Sequence, residues 1–126
     1  METSNVLNDT VKSILADILY LDSTDTISNT TRIFSELGLN SIDFIDLCFA
    51  LKKHSNKNIT PENLWPFHSM ASSKEFFDNN QWTMIGWNEV CKVLNISATT
   101  SPEDLRTLYQ RFTVDYVVNR VGALSV

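Results

Sequence analysis

Apolar residues along the chain recur mostly at helical spacing, three or four positions apart. The clearest stripe lies near the N-terminus, at positions i, i+3, i+4, i+7 and i+8, and comprises Val11, Ile14, Leu15, Ile18 and Leu19. Asn8 or Asp9 is expected to cap this first helix. The chain then becomes polar over residues 22–31, where Ile27 is almost the only apolar residue. This stretch predicts a long loop.

The next segment returns to the core and leads into a very apolar helix. Ile33, Phe34 and Leu37 indicate a short helical turn, and Gly38 suits a left-handed position after it. A second helix is expected from about residue 41 to 54. Its apolar residues lie on so many sides that a small domain cannot bury them all, so part of its surface is expected to meet a partner or a ligand.

Further short helices are expected in the second half of the chain. Thr60 followed by Pro61 is typical of a helix start, and it opens a short third helix. A helical pattern runs over about residues 83–94. Residues 101–104 read Ser-Pro-Glu-Asp, a cap followed by proline and acids at the positive end of the dipole, which predicts a helix from about 102 to 120.

Residues 67–81 carry a less regular pattern. A helix containing Phe76 and Phe77 is expected there, capped by Ser72 or Ser73, although two asparagines interrupt it. No long stretch alternates as a strand would. The whole therefore predicts an all-α fold of five or six short helices.

Composition and charge narrow the class of protein. A chain of 126 residues with 43% hydrophobic residues fits one globular domain, and its net charge of −5 argues against binding to nucleic acid. Cys48 and Cys91 lie in apolar helical patterns and are expected to be buried free thiols. Neither a signal peptide nor a membrane-inserted segment is expected, which indicates a protein of the reducing cytoplasm.

One motif carries most of the functional information. Residues 37–47 read Leu-Gly-Leu-Asn-Ser-Ile-Asp-Phe-Ile-Asp-Leu. This run resembles the attachment site of acyl carrier proteins, whose usual form is Leu-Gly-x-Asp-Ser-Leu. The resemblance is clear over about residues 6–66, and it implies an acyl-carrier-like bundle. Residues from about 67 to 126 would supply a closing helix and a C-terminal extension, within one domain spanning residues 1–126.

The resemblance also implies a cofactor and a role. Ser41 would be esterified with 4′-phosphopantetheine from coenzyme A, with Asn40 and Ile42 beside it, and the thiol of this arm would hold an acyl group as a thioester. The protein would then be a discrete carrier and not an enzyme. A serine after a long loop and at a helix start suits this role, because the helix dipole favours the negative phosphodiester. The competing interpretation is that Asn40 and Ser41 only cap the helix.

Partners and an acyl pocket follow from the same resemblance. The partners would be a phosphopantetheinyl transferase and the acyl-loading and acyl-transfer enzymes of a specialised lipid, fatty acid, polyketide or other secondary-metabolite pathway, with the carrier itself a monomer. The residues expected to dock partners are Asp43, Phe44, Ile45, Asp46, Lys52 and Lys53. The residues expected to line the acyl pocket are Ile33, Ile45, Cys48, Leu51 and Leu64.

The sequence also departs from the family pattern. Asn40 stands where the family has aspartate, which weakens the expectation that every transferase will recognise the site. Lys52 and Lys53 stand where the family usually has glutamates; they are either a solvated helix end or a device that selects dedicated partners. Leu39 after the glycine favours an acyl over a peptidyl or aminoacyl carrier. An unmodified interaction module and a small regulatory protein remain alternatives, and no metal site is expected from the histidine and cysteine spacing.

Overall fold

The computed structural model describes residues 2–99 and 101–124 of the chain, and the regular secondary structure of this part is almost entirely helical. One short β-hairpin interrupts the helices. The helices are α1 (Glu2–Ile18), α2 (Ile33–Glu36), α3 (Ser41–Ser55), α4 (Pro61–Leu64), α5 (Phe67–Ala71), α6 (Met84–Leu94), α7 (Leu105–Leu108) and α8 (Val114–Ala123), and a 3₁₀ turn covers Tyr109–Arg111. The hairpin pairs β1 (Phe77–Asp78) with β2 (Gln81–Trp82). None of the helices in the described ranges is long and apolar enough to cross a lipid bilayer.

Helices α1, α3, α4 and α8 form the main bundle, and α8 is the last of them in the chain. Helix α1 packs against both α3 and α8, and α4 also contacts α3 and α8. Val114, Val117 and Val121 of α8 repeat at helical spacing and are fully or almost fully buried. The predicted all-α bundle is therefore confirmed, and the end of the chain completes that bundle.

Helix α8 also completes the end of α4, whose last carbonyl groups have no partner within their own helix. The Tyr116 hydroxyl donates to the Leu64 carbonyl at 2.6 Å, and Arg120 Nε donates to the Asn63 carbonyl at 2.8 Å. These bonds fix α8 and α4 relative to each other.

The first helix begins earlier than the sequence predicted. Asn8 and Asp9 lie inside α1 and do not cap it, because α1 already starts at Glu2. Leu7 extends the apolar stripe by packing against the core. The helix can therefore continue towards the N-terminus past the expected caps.

The predicted helix from 102 to 120 is wrong. Residues 101–104 are not helical, and the Asp104 side chain caps α7 by accepting the Thr107 N–H at 2.7 Å. Helical structure breaks at Phe112, and Thr113 then caps α8 by accepting the Tyr116 N–H at 3.1 Å. Side chains that bond to the backbone in this way compete with a continuous helix.

The predicted helix through Phe76 and Phe77 is also wrong. Phe77 lies in β1, and the two asparagines that interrupt the helical pattern form the turn of the hairpin. Asn79 and Asn80 have φ angles of 56° and 62°. Left-handed conformations at both central positions are what a tight two-residue hairpin requires, and asparagine tolerates them.

The segment between α4 and α8 rejoins the bundle beside α2. The Ile33 N–H donates to the Phe112 carbonyl at 2.8 Å, and Arg32 pairs with Thr113 in an isolated antiparallel bridge. The Asp115 N–H donates to the Asn29 carbonyl at 2.9 Å. The long polar loop before α3 is therefore held by the chain that leads into α8.

We predict that Gly86→Ala will destabilise the fold strongly. A Cβ atom at this position of α6 would lie 1.9 Å from the Phe76 carbonyl oxygen, so α6 would have to move away from the hairpin. The expected loss is about 3 kcal/mol in the free energy of unfolding, at the upper end of overpacking costs, measured by urea denaturation. Gly122→Ala is the matched control: a Cβ there meets nothing within 4 Å, and a gain of about 0.5 kcal/mol is expected. Equal stabilities for the two variants would contradict the close approach of α6 to the hairpin.

Candidate functional site

The start of α3 is built by a reciprocal pair of hydrogen bonds. Gly38 takes the left-handed conformation, with φ of 69°, and turns the chain towards the new helix. Asn40 Oδ1 accepts the Asp43 N–H at 2.8 Å, and Asp43 Oδ2 accepts the Asn40 N–H at 3.3 Å. This capping box satisfies two backbone donors of the first turn. Asn40 and Asp43 therefore have a structural role at the helix start.

Ser41 is not part of this cap. It is the first residue of α3 and is exposed. Within the described part of the chain, its hydroxyl makes no hydrogen bond to another protein group. A free primary hydroxyl at the positive end of a fifteen-residue helix is well placed to carry an anionic ester.

Ser41 lies on the wall of a pocket of about 590 Å³, called here the Ser41 pocket. Most of its surface is apolar, and a few polar side chains stand among the apolar ones, as is usual for ligand sites. Its lining residues are Phe34, Ser35, Leu39, Asn40, Ser41, Phe44, Trp65, His68, Arg106, Tyr109 and Gln110.

Aromatic rings form the walls and the floor of the Ser41 pocket. Trp65 stacks on Tyr109 with ring centroids 5.9 Å apart, and Tyr109 meets Phe34 edge to face at 5.2 Å. Beneath them, Phe34 stacks on the fully buried Phe112 at 4.5 Å. The Tyr109 hydroxyl is also in hydrogen-bond contact with His68 Nε2. Such ring pairs restrict one another's orientations, so packing among the rings shapes the walls of this open pocket.

The residues predicted to line an acyl pocket do not line the Ser41 pocket. Ile33, Cys48, Leu51 and Leu64 are buried in the bundle core, whereas Ile45 is 56% exposed. The structure therefore separates this predicted set into a buried group and one surface residue.

Sequence reasoning missed several residues of the Ser41 pocket. Tyr109 falls inside the helix expected from 102 to 120, and a straight helix there gives no reason to place it beside Ser41. Neither His68 nor Trp65 belongs to the attachment motif, so the motif does not indicate either of them as a site residue. The available signal was the density of aromatic residues after α4, but sequence spacing cannot show that they converge on Ser41.

The predicted docking residues mark two parts of the α3 surface. Ile45 of this set is 56% exposed. Ile42 and Phe49, which are not among the predicted docking residues, lie on the same side of the helix and are 70% and 69% exposed; we call these three residues the α3 apolar stripe. Asp46 is exposed beside this stripe, and Lys52 and Lys53 are exposed in the last turn. Phe44 and Asp43 differ from these residues, since Phe44 contributes to the Ser41 pocket and Asp43 to the cap.

Neither cysteine of the chain is available for chemistry at this site. Cys48 and Cys91 are free thiols and both are buried. Burial raises the pKa of Cys48 to about 12 and also raises the pKa of Cys91. In the described part of the chain, no group of three or more histidine, cysteine or acidic side chains could hold a metal ion.

Comparison with known proteins gives one match. The family model described as the phosphopantetheine attachment site matches residues 9–72, just over half of the chain. The matched segment includes Ser41, but it ends before Arg106, Tyr109 and Gln110 of the Ser41 pocket. No curated protein matches the chain, and no solved structure does.

We predict that the native protein has no rapidly reacting cysteine. At pH 8 a thiol with a pKa of about 12 is ionised in only about one molecule in ten thousand, and only the thiolate attacks a disulfide reagent. Reaction with an aromatic disulfide should release almost no product from the folded protein and two equivalents after denaturation. Cys48→Ala and Cys91→Ala should each lose one equivalent in denaturant. Fast reaction of either thiol in the folded protein would contradict the burial described above.

Proposed function

Because the chain belongs to the phosphopantetheine attachment site family, we propose that it is an acyl carrier protein with the phosphopantetheine arm attached to Ser41. The observation that carries this proposal is the exposed, unbonded hydroxyl of Ser41 at the start of α3, inside the matched segment. When attached, the arm supplies a thiol that holds an acyl group as a thioester. The carrier itself catalyses no step.

The residues around Ser41 fit the group. The hydroxyl oxygen would form the new bond to the phosphorus of coenzyme A that carries the pantetheine, while the pyrophosphate linkage to that phosphorus breaks. A transferase would remove the hydroxyl proton, and 3′,5′-adenosine bisphosphate would leave. The first turn of α3 then faces a negative charge that its dipole stabilises. No carboxylate is among the residues that line the Ser41 pocket, and the Asp43 carboxylate two positions along α3 is held in the cap by the Asn40 N–H.

The α3 apolar stripe is the proposed contact surface for partner enzymes. A partner would cover its three exposed apolar side chains, which cannot be buried within this chain. Asp46 lies beside the stripe, and Lys52 and Lys53 lie at its far end. A complementary partner surface would therefore carry basic groups opposite Asp46 and acidic groups opposite the two lysines. Such a mixed pattern would reject partners adapted to carriers with an acidic helix end.

The predicted acyl pocket remains a separate proposal. Its members Ile33, Cys48, Leu51 and Leu64 are already packed in the bundle core. An acyl chain could reach them only if packed helices such as α3 and α4 moved apart. The free cysteines, both buried, fit the expectation of a reducing cytoplasm.

We predict that intact mass spectrometry will show the arm on Ser41. After incubation with coenzyme A, magnesium and a broad-specificity phosphopantetheinyl transferase, the wild-type protein should gain the mass of one phosphopantetheine and one fast-reacting thiol. Ser41→Ala should gain neither. Ser35→Ala is the matched control, because this second exposed serine lines the same pocket, and it should load like the wild type.

The same measurement distinguishes the alternatives. Absence of the adduct with several transferases would refute the carrier proposal and favour an unmodified interaction module. A loaded protein that accepts aminoacyl groups but no acyl groups would identify a peptidyl or aminoacyl carrier, against the preference drawn from Leu39.

A further prediction concerns Asn40, which replaces the aspartate usual in the family. Asn40→Asp should keep the cap, because only a side-chain oxygen accepts the Asp43 N–H, so the melting temperature should change little. A transferase that recognises an aspartate at this position should load the variant faster than the wild type, measured as the initial rate of adduct formation. Asn88→Asp on α6 adds the same charge outside the Ser41 pocket and should leave the rate unchanged. Equal rates for all three proteins would show that the transferase does not recognise the charge at position 40.

A further inference from the structure

The Ser41 pocket is built from two parts of the chain that the family match separates. Ser41, Phe44 and Trp65 lie within residues 9–72, whereas Arg106 and Tyr109 come from α7 and the 3₁₀ turn beyond it. The wall opposite the attachment residue is thus supplied by the segment between α5 and α8. A group bonded to the Ser41 hydroxyl begins at the wall of this cavity.

The chemistry of the walls suits a group that is anionic at one end and apolar next to it. Arg106 is exposed. In the described residues no carboxylate oxygen lies within 4 Å of its guanidinium nitrogens, although Asp104 is near enough to interact with its charge. His68 is the other side chain in the lining that can carry positive charge, and no acidic side chain is present. Among the residues that line the pocket, Arg106 is the one with a permanent charge, and that charge is positive.

The aromatic walls supply the apolar part. Phe34, Phe44, Trp65 and Tyr109 present ring surface to the cavity, and their ring contacts hold them in place. The phosphopantetheine arm has this order of groups from its attachment point: a phosphodiester, then a pantoyl unit with two methyl groups on one carbon. A cavity of about 590 Å³ lies within the range of small-ligand sites.

We propose that this carrier keeps its phosphopantetheine arm docked in the Ser41 pocket, with Arg106 attracting the phosphodiester and the aromatic walls contacting the pantoyl methyl groups. This inference rests on the proposed function. The occupant is the arm and not its cargo, because the tether begins at the pocket wall and the thiol is the end most distant from it. The phosphodiester and the pantoyl unit are then held against the carrier, so the free part of the arm that presents the acyl group is shorter than the whole arm.

The test uses loaded protein, first confirmed by intact mass, with an arm derived from ¹³C-labelled coenzyme A. Protons above an aromatic ring resonate upfield, so the two pantoyl methyl signals should be shifted upfield from their positions in coenzyme A. Cross-relaxation to the ring protons of Tyr109 or Phe44 should be seen. Arg106→Gln should lower the docked-to-free ratio about fivefold, as expected for loss of one exposed ion pair, and move the methyl signals towards their free positions. Raising the salt concentration to about 1 M should have a similar effect on the wild type and little effect on the variant, because the Debye length falls to about 3 Å.

Lys92→Gln is the matched control. Lys92 pairs with Glu89 at 3.3 Å on α6 and does not line the Ser41 pocket, so its loss removes the same charge without changing the methyl signals. Sharp methyl signals at the positions of free coenzyme A in folded, loaded wild-type protein would overturn the proposal. Unshifted methyl signals together with shifted signals of an attached acyl group would also overturn it, and would assign the pocket to the cargo. Absence of the mass adduct is a different result, which removes the proposed function itself.

Discussion

The packing of Phe112 is the constraint on which the rest of this structure depends. Its ring is completely buried and lies against Phe34, Phe44, Trp65 and Tyr116, which belong to α2, α3, the end of α4 and α8. Its carbonyl accepts the Ile33 N–H, so the same residue also fixes the backbone at the start of α2. Burial of one aromatic side chain of this size contributes about 1.5–3 kcal/mol, and here it also orders four helices.

The packing around Phe112 connects the surroundings of Ser41 to the later part of the chain. Phe44 lies one turn along α3 from Ser41, and its ring packs against both Phe34 and Phe112. The orientation of α3, the floor of the Ser41 pocket and the entry into α8 are therefore set together. A carrier of this kind cannot exchange the segment between α5 and α8 without altering the surroundings of its attachment residue.

Local signals explain which parts of the fold could be predicted from the sequence. The stripe of α1, the cap of Thr60 with Pro61, the turn at Gly38 and the start of α3 each depend on neighbouring residues, and each was predicted correctly. The break at Phe112 was not, because it depends on a hydrogen bond to Ile33, which is distant in sequence. The attachment motif was visible as a run of residues, whereas the pocket beside it was not, since Arg106 and Tyr109 reach it only through that break.

The bond between the Ile33 N–H and the Phe112 carbonyl can form only late in the synthesis of the protein. A ribosome that has translated the family-matched segment, residues 9–72, has already synthesised the attachment motif. The nascent chain then still lacks Phe112, and it lacks α8, against which α1 packs. Chains grow by about 5–20 residues per second, so the motif is present for seconds before the residues that support it. The surroundings of Ser41 described here can therefore form only when almost the whole chain has been made.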